Sequence, residues 1–114
     1  MEITYDQNHL IIGDMKKTFK HDIQKVIVLK DKAVVLLSIP QNDDTIDNIF
    51  ALSHEVETIW QAESLKKLYP DEINLPYEYM DEEGDIIKAT DFYGRRYFIN
   101  VENGHIIKRD FVKW

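Results

Sequence analysis

The chain has 114 residues, 44% of them apolar and 31% charged, and one folded domain of this size buries about 60 to 70% of its unfolded surface without covalent staples. No apolar run approaches the ~18 to 20 residues of a membrane span, the start MEITYDQNHL has neither region of a secretory signal, and the lack of cysteine removes disulfides, thiol nucleophiles and thiolate zinc sites, so a single soluble, cytoplasmic domain over 1–114 is expected. The net charge of −7 is segregated: 1–40 carries +1 and 86–114 carries +3, while 41–85 holds thirteen acids against Lys66 and Lys67, a field that argues against nucleic acid and membranes as partners and for a basic protein.

In chain order, Ile3 and Tyr5 alternate with polar residues before DQN and HLIIG, the pattern of a small hairpin over the first twelve residues. Residues 14–22, DMKKTFKHD, hold no period and are expected to form a connecting loop. IQKVIVLK and AVVLLSIP, separated by Asp31 and Lys32, are rich in β-branched residues and form the clearest hairpin. Residues 33–37 are apolar throughout, so both faces of that strand should be covered. After the polar loop PQNDDTIDN come the strands IFALS and TIWQA. The stretch 63–76 is the one long break in the β pattern, with room for a helical turn at Leu65, Leu68 and Tyr69 ended by Pro70. YEYMD, DIIKATDFYG, RRYFINV and HIIKRDFVKW follow as strands.

One unit recurs. NIFALSHEVETIWQ (48–61) is echoed by RYFINVENGHIIKR (96–109), with Phe50, Leu52, Ile59 and Trp60 matched 47 residues later by Tyr97, Ile99, Ile106 and Ile107. The expected fold is all-β: two four-stranded antiparallel meanders, roughly 24–62 and 77–112, preceded by an N-terminal hairpin and packed as a sandwich-like or curled sheet. Trp60 belongs to its core, whereas Trp114 at the terminus is expected to be exposed.

Residue chemistry offers no catalytic signature. His9, His21, His54 and His105 form no helical metal pair, DEEGD lacks the ligand spacing of a calcium loop, Ser38, Ser53 and Ser64 lie outside any nucleophile elbow, and the four glycines form no phosphate loop. No enzyme activity, cofactor or metal is assigned. Arg95 and Arg96 are taken as solvated or paired with acids.

NIFALSHEVETIWQ resembles the Trp-ended repeat of quinoprotein-type β-propellers, although Ser53 and Glu57 stand where that repeat carries Asp and Gly. Over most of its length the chain resembles small bacterial β-proteins, some of which are similar to immunity proteins paired with toxins. That resemblance implies a soluble inhibitor that binds a cognate toxin, for instance a nuclease, through an acidic surface. The residues assigned to partner binding are Asp43, Asp44, Asp47, Glu72, Tyr77, Tyr79, Asp81, Glu82 and Glu83. The alternative is a propeller-like scaffold or sensor with another ligand.

Overall fold

Ala33–Leu37 is a strand buried at every position, and the layers around it explain why. In the computed structural model, which describes residues 2–112, this strand, β5, lies in a sheet with β4 (Ile23–Val28), β6 (Ile49–Leu52) and β7 (Thr58–Gln61), in the order β4-β5-β6-β7. A preceding sheet holds β1 (Ile3–Asp6), β2 (His9–Ile12) and β3 (Met15–Thr18), and a following one holds β8 (Tyr77–Glu83), β9 (Ile86–Asp91), β10 (Arg95–Asn100) and β11 (Ile106–Phe111). All strand pairs are antiparallel. The middle sheet is covered on both sides. Val35, Leu37 and Leu52 pack with Leu10, Ile12 and Phe19 of the first unit, and Val34, Leu36 and Ala51 pack with Ile87, Ala89 and Tyr97 of the last. Period-2 alternation within a fully apolar strand thus feeds two cores at once. The fold is all-β, with two four-stranded meanders packed face to face.

The N-terminal hairpin is larger than expected. Residues 15–18, assigned from sequence to a loop, form β3, paired with β2 in the register His9 to Thr18 and Ile12 to Met15. Gly13, at φ +59°, makes the tight turn between them. An edge strand with two adjacent lysines carries no apolar alternation, and charge of that kind protects a free edge, so its strand character is invisible to a hydrophobicity pattern.

The repeat is real but slips by one residue. β6 and β10 are each the third strand of their sheet, so Phe50 matches Tyr97 and Leu52 matches Ile99. Leu52 pairs with Thr58, however, and Ile99 with Ile106, so the second turn is one residue longer and Ile59 corresponds to Ile107. Both isoleucines sit at bulges and are exposed. Trp60 then corresponds to Lys108, not Ile107. Trp60 faces the next sheet and is buried, its indole N–H donating to the Val101 carbonyl at 2.9 Å. Lys108 lies 4.6 Å from the centre of the Phe98 ring on the outward face of the last sheet.

The connector after β7 forms α1 (Leu65–Leu68), a single turn capped by Ser64, whose side chain accepts from the Lys67 amide. Trp114 lies outside the described residues.

Candidate functional site

Three segments meet at one end of the last two sheets and enclose a groove of about 550 Å³. The first is the loop after β5. Pro40 stops the strand, the Asp43 amide donates to the Pro40 carbonyl at 3.0 Å, and the Asp43 carboxylate accepts from the Thr45 hydroxyl at 2.6 Å and the Thr45 amide at 2.8 Å. Those bonds hold the Asp43 carboxyl below its ordinary value, so it stays ionised, and His21 Nε2 lies 3.5 Å from its other oxygen. Asp44 beside it is exposed.

The second segment, 73–76, forms the opposite wall. Asn48, buried at the start of β6, couples the two walls: its amide donates to the Leu37 carbonyl at 2.7 Å and the Tyr77 carbonyl at 3.0 Å, and its oxygen accepts from the Tyr77 amide at 2.8 Å. Arg95 Nη2 donates to the Ile73 carbonyl at 2.8 Å, anchoring the far side. The third segment is the turn between β9 and β10. Asp91 is fully buried; its carboxylate accepts from the Tyr93 and Arg95 amides, each at 3.0 Å, and from Arg95 Nε at 2.7 Å. With its polar groups satisfied inward, the turn presents Phe92 and Tyr93 outward, 73% and 58% exposed, with ring centres 6.3 Å apart. Ile73, 72% exposed, and Phe111, 67% exposed and paired in register with Arg95, are further exposed apolar side chains on segments that flank this turn. Such a cluster of protruding apolar side chains is unusual for a solvated surface.

The nine residues assigned to partner binding do not form one surface. Asp43 and Asp44 line the groove, and Glu78 joins them. Asp47 is half-buried, its carboxylate accepting from the Leu65 amide at 3.1 Å, and burial raises its carboxyl above the usual range. Glu72 is held by Arg109 at 2.6 and 2.9 Å and by Arg95 at 3.2 Å, which keep its carboxyl below its ordinary value. Tyr77 is only 1% exposed, so it anchors the core, and its hydroxyl has no hydrogen-bond partner among the described residues. Tyr79 is exposed on the outer face of the last sheet. Asp81, Glu82 and Glu83 lie at the far end of β8, with Glu83 paired to Lys88 at 3.3 Å. At about 3.4 Å per residue, that tip stands about 17 Å from Glu78. Glu78, one of the thirteen acids of 41–85, and Phe92 and Tyr93, two of the aromatic residues along the later strands, stood outside the residues assigned to partner binding from sequence. The signal for the rings was present: two adjacent aromatics in DFYG, at a turn where small polar residues are the rule.

Among the described residues no group of three or more histidines and carboxylates is placed to hold a metal ion. No helix among them is long and apolar enough to cross a membrane.

Fold and site together define an all-β domain of three antiparallel sheets stacked in chain order, with an acidic groove flanked by aromatic rings. Residues 1–111 match the family described as a domain of unknown function, DUF7957, and the chain belongs to that family. No curated protein matches it. Among solved structures it is similar to the computationally designed Ika8 protein, with a TM-score of 0.59 and 6% identity over 95% of this chain and 35% of that one. The chain therefore spans about a third of that protein's length, and the likeness concerns the fold alone.

Proposed function

We propose that the chain is an immunity protein that binds a cognate bacterial toxin in the cytoplasm and shields its basic active site with an acidic surface. The observation that carries this reading is the segregation of charge: thirteen acids against two lysines in 41–85, with Asp44, Asp81, Glu82 and Glu83 exposed. A single-sign field of this kind speeds encounter with a basic protein. Protruding Phe92 and Tyr93 beside Asp44 supply the apolar anchors that charge alone lacks.

The test uses the toxin encoded beside this chain's gene. Co-expression is expected to restore growth. Asp43→Asn with Asp44→Asn, and separately Asp81→Asn with Glu82→Gln and Glu83→Gln, should each slow association, most visibly at low salt, where the Debye length exceeds ~8 Å. Full toxicity in the presence of the chain, or association rates unchanged in both variants, overturns the reading. A second reading, a propeller-like scaffold for another ligand, is favoured by the stacking of meanders in chain order with β4 beside both β1 and β8. Saturable binding of a small molecule with no toxin blocked would favour it.

A further inference from the structure

The groove has a composition that selects its occupant. Its lining contains three acids, Asp43, Asp44 and Glu78, and no lysine, arginine or histidine. Of the neighbouring bases, His21 contacts Asp43 at 3.5 Å and Arg95 is neutralised by Asp91 at 2.7 Å and Glu72 at 3.2 Å, while Lys20 acts on Asp43 from outside the lining. Asp44 and Glu78 form no ion pair among the described residues. The remaining lining is mostly apolar or aromatic, with Ile39, Pro40, Ile46, Leu75, Phe92 and Tyr93 around these carboxylates and the neutral amides of Gln41 and Asn74 between them. An anion is repelled here, and a purely apolar ligand would desolvate three carboxylates without return. A cationic head on an apolar stem satisfies both halves of the groove, the stem lying over the rings and the head meeting the acids.

We propose that this groove seats a lysine or arginine side chain, flanked by apolar residues, from an extended segment of a partner protein. The assignment rests on the reading of the chain as a protein-binding inhibitor and names the place and chemistry of the contact. Glu78 lies near the start of β8 and Asp44 on the loop after β5, so the groove presents carboxylates from both walls. Asn48 ties the backbone of Leu37, before the first wall, to that of Tyr77, beside Glu78, a link that limits the ordering required on binding.

The probe is the peptide acetyl-Leu-Arg-Leu-amide, titrated into the full chain at low salt and followed by backbone amide chemical shifts. Its citrulline counterpart, equal in shape and uncharged, is the control ligand. The expected result is saturable binding with shifts centred on Asp44, Glu78, Phe92 and Tyr93. The citrulline peptide should bind about tenfold more weakly, as should the arginine peptide to Asp44→Asn combined with Glu78→Gln. Phe92→Ser should weaken both peptides, and Glu55→Gln, on a remote turn, neither. An unchanged amide spectrum in each variant establishes that the fold is intact. Equal affinity for the two peptides, shifts centred on residues 81–83, or no saturation overturns the assignment. The two readings fail separately: peptide capture through Asp44 and Glu78 with no toxin blocked keeps the groove and sinks the immunity reading. Toxin neutralisation undiminished by Asp44→Asn with Glu78→Gln sinks the groove alone.

Discussion

At the scale of single residues, two positions show how backbone conformation and packing are joined. Gly104 has φ +77° and lies against the Trp60 indole so closely that a β-carbon there would stand 2.6 Å from the ring. Only glycine meets both demands. Gly104→Ala should therefore destabilise the chain by about 2 kcal/mol or more in urea unfolding. Trp60→Ala, which also removes the bond to Val101, should cost ~3 to 5 kcal/mol. Because part of the Gly104→Ala cost is the clash with the indole, that cost should shrink in the Trp60→Ala background, and a double-mutant cycle with no coupling would contradict the contact. Asp47 makes the opposite case. Its φ of +55° suits Asp or Asn, and its carboxylate is needed only as an acceptor for the Leu65 amide. A folded pKa raised by burial means that ionisation opposes folding at neutral pH. Asp47→Asn should then leave stability equal or higher at pH 7, whereas Asp47→Ala, which loses the acceptor and strains the backbone, should lower it by about 1 to 2 kcal/mol.

At the scale of elements, what the sequence made legible was whatever buries apolar side chains with a regular period. β5 was readable because it serves two cores, and β6 and β10 because Phe50 and Leu52 return as Tyr97 and Ile99. β3 was not, since an exposed edge strand has no apolar period to show. The one-residue slip between Ile59 and Ile106 was equally hidden, because bulges alter register without altering composition. The assigned acids divide for a related reason. Sequence shows that an acid is present but not what faces it, so Glu72 between two arginines and Asp44 in open water look alike. The groove itself joins loops far apart in the chain, and the residue that couples them, Asn48, looked like one more polar loop residue. Its truncation is a sharp test of that joint. Asn48→Ala leaves a buried carbonyl and amide of Tyr77 and the Leu37 carbonyl without their partner, at a cost of about 2 to 3 kcal/mol. The loss should appear in amide exchange as faster opening at Tyr77, with β9 and β10 least affected. A uniform loss across the molecule would show that Asn48 supports the whole fold and not the groove walls in particular.

At the scale of the whole molecule, carboxylates act on stability in two opposed groups, and pH separates them. Glu72, held by Arg109, Asp43, held by Thr45, and Asp110, held by Arg96, all have folded pKa values below their ordinary ones. Each contributes stability that is present above the unfolded value of about 4 and is lost as pH falls through the folded value. Asp47 has the opposite sign: its contribution is present below its unfolded value and lost as pH rises through the raised folded one. Mutual repulsion among the thirteen acids of 41–85 acts in the same direction as Asp47, because partial protonation relieves it. Acidification from neutrality should therefore first relieve Asp47 and the mutual repulsion, and stability should then fall below about pH 4 as the depressed carboxylates take up protons. The fall should not be uniform, since two of the three depressed carboxylates fasten segments beside the groove: Glu72 ties the connector to Arg95 and Arg109, and Asp43 shapes the loop after β5. Once corrected for the intrinsic exchange rate at each pH, the Thr45 amide should therefore lose protection in acid before those of β5, whose five side chains are buried apolar groups with no titrating member. On the alkaline side, burial raises Tyr77 and Tyr97 above the ordinary phenol, so their protonated forms favour folding and that support fails as pH climbs past about 10. Urea midpoints across the pH range, with Glu72→Gln alongside, provide the check. The variant should lose the steep acid limb that Glu72 supplies while keeping the alkaline one, and a variant whose acid limb matches the parent would remove Glu72 from the account.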